Sequence, residues 1–188
     1  MMLLNPYRFA GGNAQDPYWA NVVSLLRLDG ADGSTTFVDE TGRAWSRTGT
    51  AEIDTAWAAF GQSLLLPSSR TSRIWTPDAP ELRVGAQDFT LELFCRPQAV
   101  SNDYYVIAAK DNLAGEREWV LLIDKDAGSR FVFGLFTDSG LFIVQSTTVP
   151  VPGAAYYLRV VRDGGSLVLH VNTNIEGVAS VGGAAANA

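Results

Sequence analysis

Polar and apolar residues alternate through "QDFTLELFCRP", residues 87–97. Phe89, Leu91, Leu93 and Cys95 fall on one side of an extended chain; Thr90, Glu92, Phe94 and Arg96 fall on the other. The first set predicts a core face. The second mixes a carboxylate, an aromatic ring and a guanidinium, which suits neither a dry core nor an ordinary solvated surface. The same period runs through "AYYLRVVRD" (155–163) and "SLVLHVNT" (166–173). It sends Val160, Leu167 and Leu169 inward, and Tyr157, Arg159 and His170 outward. Phe131 and Phe133 join the predicted core from "SRFVFGLFTD" (129–138).

Further strands are predicted in "VVSLLRLDG", "GSTTFVDETG", "TAEID", "SLLLPSS", "DYYVIAAKD", "EWVLLIDKD" and "LFIVQST". Turn signals separate the later ones: Asp126-Ala-Gly128, Asp138-Ser-Gly140, Pro150-Val-Pro152-Gly153 and Asp163-Gly164-Gly165. The second and fourth are the strongest hairpin signals, because each supplies a glycine between two β-rich runs. "TAWAAFGQ" (55–62) is the best helical candidate, yet too short for more than a turn or two. Many short strands with hairpin turns and no long helical pattern predict an all-β, antiparallel two-sheet sandwich over 21–180. Residues 1–20 differ. "MMLLNPYRFAGGNAQDPYWA" has neither period, and is read as an extended arm whose Tyr7, Phe9, Tyr18 and Trp19 dock on its own domain or on a neighbouring subunit, with Arg8 between two of the rings. Gly and Ala take over after Val178, and 181–188 is read as a flexible tail.

Composition narrows the function classes. With 188 residues, 47% hydrophobic and 18% charged, the chain buries a substantial core. A net charge of -6 and no basic stripe argue against a nucleic-acid partner. No window reaches the ~18 apolar residues of a membrane span, and the opening apolar run ends at Asn5-Pro6 without a basic region before it. A soluble product made in the cytosol is expected. Cys95, the one cysteine, is expected to be a small buried hydrophobe, and it permits no intramolecular disulfide.

Several motifs, in order, resemble a known family. "FGQSLLLPSS" (60–69), then "TPDAPELRVGAQDFTLELFCRP", then "YYLRVVRDGGSLVLHVNTNIEGVAS" (156–180) look like the laminin-G-like, concanavalin A-like jelly rolls. The early "LLRLDGADGSTTFVDETGRAW" and its lead-in "DPYWANVVSLL" resemble the version common in tailed-bacteriophage structural proteins. The resemblance covers about residues 16–181 and implies a concanavalin A-like jelly roll. Two departures stand out. Thr173 replaces the glycine usual after Asn172, which predicts a longer turn. The family's closing strand with its Asp pair has no counterpart before Ala188, so an edge of the sandwich is expected to be missing or supplied otherwise.

Candidate chemistry is sparse. Some relatives on this architecture are glucanases carrying Glu-x-Asp-x-x-Glu, and "EIDTAW" copies only Glu52 and Asp54, with Trp57 at the second glutamate position. Retaining hydrolysis needs two carboxyls about 5 Å apart, so no enzyme activity is expected. His170 has no Ser-His-Asp or Cys-His pattern to complete. The family often holds Ca²⁺ at the sandwich rim; Asp29, Asp32, Asp39 and Glu40 offer oxygens there, but Asp-Gly clusters are ordinary turn chemistry and the closing-strand ligand is absent. No metal or cofactor is expected. Glu92, Phe94, Arg96, Tyr157, Arg159 and His170 are the candidate face. The resemblance implies that this side of the sheet forms the sugar site of lectins, and rings with planar hydrogen-bonding groups suit sugars. They suit a protein interface equally. Two functions therefore stand side by side. One is a virion structural protein, in the capsid decoration or tail, that forms homo-oligomers and binds neighbouring capsid or tail subunits through its arm. The other is an adhesin domain for host-surface glycan.

Overall fold

Short side chains and turn residues dominate the chain's first part, and they fold it into ribbons rather than a wide sheet. The computed structural model describes residues 17–59, 61–67, 71–100, 103–111 and 117–183, and the chain divides into two compact units at Ala79/Pro80. In the first unit β1 (Ser46–Thr48) pairs antiparallel with β4 (Arg73–Trp75), and β2 (Glu52–Asp54) with β3 (Ser63–Leu65). Leu26, Phe37 and Ile53 form its core, with Leu28, Trp45, Leu64 and Ile74 packed around them.

Two predicted strands in this unit are reduced to single bridges, Leu26 to Asp39 and Val38 to Ala44. Leu28, at φ 60°, turns the chain out of the extended region and ends the first run. The helical candidate 55–62 forms no helix among its described residues. The Asp32 carboxylate accepts from the Thr55 N–H and hydroxyl at 3.0 and 3.1 Å, and Asp54 Oδ1 accepts from the Ala56 N–H at 2.5 Å. A helix leaves its first-turn N–H groups open to such acceptors too; what fails here is length, because Gly61, at φ 64°, ends the segment before a second turn can form.

The second unit is a sandwich of two four-stranded antiparallel sheets. β5 (Phe89–Cys95), β10 (Tyr156–Asp163), β11 (Ser166–Val171) and β12 (Asn174–Ser180) form one sheet, in the order β12-β11-β10-β5. The other runs β6 (Tyr105–Asp111), β7 (Arg117–Asp124), β8 (Arg130–Thr137), β9 (Gly140–Gln145). Every predicted core residue, namely Phe89, Leu91, Leu93, Phe131, Phe133, Val160, Leu167 and Leu169, is buried. Phe89 meets Phe133 across the sheets at 6.1 Å between ring centres, and Tyr156 meets Phe131 edge-on at 5.1 Å. Each such ring contributes about 1.5–3 kcal/mol by leaving water, and a one-residue slip of a strand would turn its whole set outward.

Tight turns fix the register. Thr137 pairs with Gly140 and Asp163 with Ser166, so both predicted hairpins have two-residue turns. Gly164, at φ 55°, takes the left-handed position that a side chain resists. The turn at Asn172-Thr173 is equally short, not longer as the missing glycine predicts: Val171 pairs with Asn174, and Asn172 itself adopts φ 57°. Asparagine tolerates that region better than most residues, and here its Oδ1 accepts from the Tyr157 N–H on β10 at 3.0 Å, which holds the turn against the neighbouring strand.

Two bulges turn carboxylates off the sheets. Between the pairs Lys110–Trp119 and Asp111–Arg117, Glu118 has no cross-strand partner. It is fully buried, accepts from the Val84 N–H at 3.1 Å and lies 3.5 Å from Lys110 Nζ. On β12, Glu176 falls between the pairs Leu169–Gly177 and His170–Ile175. It accepts from Thr147 Oγ1 at 3.2 Å, the Thr148 N–H at 2.8 Å and Thr148 Oγ1 at 2.7 Å. That bond set ties β12 to the chain just beyond β9.

Candidate functional site

Alternation alone puts Glu92, Phe94, Tyr157, Arg159 and His170 on the outward side of the β5–β10–β11–β12 sheet, and the pairing register sorts them into rows. One row runs Phe94–Tyr157, and the next runs Glu92–Arg159–His170–Ile175. A third, Thr90–Val161–Val168–Val178, is apolar apart from the threonine. The five candidates are half-buried, whereas Ile175 and Val178 at the β12 end are 63% and 66% exposed. The sheet presents an aromatic and charged end beside an apolar one.

The rings of Phe94 and Tyr157 stand 5.0 Å apart, inclined at 34°. The Tyr157 hydroxyl donates to Glu92 Oε1, which fixes both side chains on the diagonal between rows. Arg159 lies directly across from Glu92 in the register, yet its Nη2 goes the other way and sits 3.2 Å from both ring nitrogens of His170. One nitrogen equidistant from both lies against the imidazole rather than on a single lone pair. Partial burial, and then the Arg159 charge, hold the His170 pKa below the usual imidazole value. The ring is therefore neutral at pH 7. Arg96, past the end of β5, donates from Nε to the Gly153 carbonyl at 2.8 Å and so supports the 150–153 turn. All six predicted face residues thus belong to one sheet and its margin.

The remaining candidates fall elsewhere. Tyr7, Arg8 and Phe9 lie outside the described residues. Tyr18 and Trp19 open the first unit on a single 3-10 turn (Trp19–Asn21), Tyr18 70% exposed and Trp19 half-buried. Asp39 is buried and saturated rather than a rim ligand. It accepts from Ser24 Oγ (2.5 Å), the Leu25 N–H (3.1 Å), the Thr41 N–H (2.9 Å) and hydroxyl (2.7 Å), and Trp45 Nε1 (3.0 Å). Burial works to raise its pKa, but the hydrogen bonds from Ser24, Trp45, Leu25 and Thr41 outweigh burial and hold it at about 2. Glu40 pairs with Arg27 at 3.1 Å and Asp32 holds Thr55. Among the described residues no three His, Cys, Asp or Glu side chains are grouped where they could hold a metal ion. Cys95 is only partly buried, and burial pushes its thiol up to about 12.

Sequence reasoning missed the face opposite. The outward side of β6–β9 carries Val106, Val120, Leu122, Val132, Phe136, Leu141 and Ile143, of which Val106, Leu141 and Ile143 are exposed. Its signal was present: "WVLLI" and "FVFGLF" are apolar at both parities, the pattern of a strand with two apolar faces. No described helix is long and apolar enough to cross a membrane.

No protein-family model matches this chain, and no curated protein matches it. Among solved structures it is similar to the 2.1 Å crystal structure of an S-layer domain-containing protein (residues 221–444) from Clostridium thermocellum. The two share 18% identity over 84% of this chain and 72% of that one, with a TM-score of 0.46. At that distance the likeness is one of β-rich architecture and says nothing about a ligand.

Proposed function

We propose that this chain is a non-enzymatic, concanavalin A-like binding domain whose ligand surface is the outward face of β5, β10 and β11, and that its ligand is a glycan. The observation that carries this reading is the Phe94–Tyr157 ring pair beside the Glu92–Arg159–His170 row. Rings present apolar faces to sugar C–H groups, and the row offers planar donors and acceptors to hydroxyls. Binding rather than hydrolysis is supported because Glu92 is the one carboxylate in those two rows, and glycoside hydrolysis works through two. The setting is drawn from the phage-like motifs: a virion component, made in host cytoplasm, assembled with itself and with capsid or tail neighbours.

The assembled protein should bind a subset of a glycan array. Arg159→Ala and Tyr157→Ala should each abolish that binding while leaving the circular dichroism of a β-sandwich unchanged. Affinity at one site should be low, and display in many copies should raise avidity by about 10²-fold. No binding by the assembled oligomer rejects the glycan reading.

The arm is tested separately. Tyr18, 70% exposed at the start of the described chain, fits a segment whose rings meet a neighbour. Deleting residues 2–12 should leave a folded, soluble protein that sediments as a smaller species and no longer joins its assembly. Unchanged assembly would place the contact elsewhere.

A further inference from the structure

Resting on the glycan reading, we infer that the ligand is an acidic saccharide and that its oxyanion, a carboxylate or a sulfate, docks on the Arg159 guanidinium. Arg159 is half-buried, and a buried charge needs a counter-charge or a full set of hydrogen bonds. It has neither among the described residues. Its Nε is buried without an acceptor, Nη1 meets none, and the one polar group within hydrogen-bond distance among the described residues is an imidazole. Glu92, opposite it in the register, has the sign to neutralise it but spends Oε1 on the Tyr157 hydroxyl and stays beyond ion-pair distance.

The fork is nonetheless held in place. His170 backs it, Ile175 lies beyond His170 in the same row, and Tyr157 and Val161 flank it along β10. A planar guanidinium fixed in this way has unspent N–H donors in a geometry that matches an oxyanion in two-point contact. The Phe94–Tyr157 rings one row away are placed for the sugar ring that carries the anion. Neutral His170 adds no second charge, and the overall charge of -6 is screened at physiological salt beyond about 8 Å.

The test uses the full chain on an array that pairs each acidic glycan with its carboxyl-reduced or desulfated counterpart. Bound glycans should be acidic, and removing the oxyanion should weaken binding about tenfold or more. Loss on carboxyl reduction alone names a carboxylate, and loss on desulfation alone a sulfate; either supports the inference. Arg159→Gln should lose the preference for acidic over neutral partners, and Arg159→Lys should restore it only in part. As a second readout, titrating sodium glucuronate should raise the His170 pKa seen by NMR, while glucose should not move it. The groups facing His170 are Arg159 on β10 and the uncharged Ile175 on β12, so a bound oxyanion is the one new charge nearby. Equal binding of acidic and neutral counterparts overturns this inference and leaves the glycan reading standing. No binding to any glycan overturns both.

Discussion

Asp39→Ala is expected to destabilise the first unit by about 3–5 kcal/mol, enough to unfold it at room temperature if its stability is ordinary for its size. The carboxylate is the acceptor for five bonds that converge from the 23–25 segment, Thr41 and Trp45. This unit has short ribbons and a small apolar cluster, and besides the Asp39 bonds these segments are joined by the Leu26–Asp39 bridge, the Glu40 N–H to Leu25 carbonyl bond and the Arg27–Glu40 pair. Removing the acceptor leaves the buried Ser24 hydroxyl and Leu25 N–H, the Thr41 N–H and the part-buried Trp45 indole N–H without it. Urea unfolding followed by tryptophan fluorescence reports it well, since Trp19, Trp45, Trp57 and Trp75 lie before Pro80 and only Trp119 lies after. A loss below about 1 kcal/mol would mean the network is not what holds the unit together.

The same carboxylate sets an acid limit. Its pKa of about 2 in the folded chain lies below the 3.8 of an unperturbed aspartate, so between those values the unfolded chain binds the proton more readily. The contribution is complete above about pH 5 and is lost as pH falls through about 4 to about 2. Its size is about 2 kcal/mol. Asp39→Asn cannot titrate, so the stability difference between it and the parent should shrink across that window.

In the sequence Asp39 has two readings, an oxygen for a rim cation and ordinary turn chemistry, of which the second is preferred. An Asp-rich turn beside glycines is the shared appearance of a cation loop and of side chains that tie down backbone, and spacing does not separate them. What separates them is where Ser24 and Trp45 come to lie, fifteen residues before and six after, which is tertiary information. The second unit was far more legible. Strict alternation in β5, β10 and β11 dictates which residues share a face, and the Gly164-Gly165 turn dictates that Arg159 meets His170. The register across β5 and β10 followed from no local turn, and it decides that Glu92 faces Arg159 while bonding Tyr157. The bulges at Glu118 and Glu176 were invisible for a related reason. A bulge is a mismatch between two strands, and each strand by itself looks regular. On β7 and β8, apolar residues at both parities hid which side faces inward, although the strands themselves were plain.

Gly177→Ala is the other substitution with a large expected effect, and it acts through the seam between the two sheets. A Cβ at this position would lie 2.7 Å from the Gln145 carbonyl oxygen, 3.1 Å from its nitrogen and 3.3 Å from its carbonyl carbon. All three are backbone atoms of β9, so no rotamer can relieve the contact; β12 and β9 must move apart. Moving them strains the Glu176 bonds to Thr147 and Thr148 and lifts the inward residues that close this side of the core, Val144 and Leu169 among them. Overpacking of this kind costs about 1–3 kcal/mol, and for a unit of roughly 100 residues that is about 4–20 °C of melting temperature. Gly177→Val should cost more than Ala. Glu176→Gln keeps a side-chain oxygen for Thr148 and should cost less than either. The ranking is the test, because a loss of β-propensity or of local charge would not produce it. If alanine is accepted at 177 with less than about 0.5 kcal/mol of change, β9 and β12 stand further apart than their close approach here, and the Glu176 clamp would then be spanning a gap that it cannot reach.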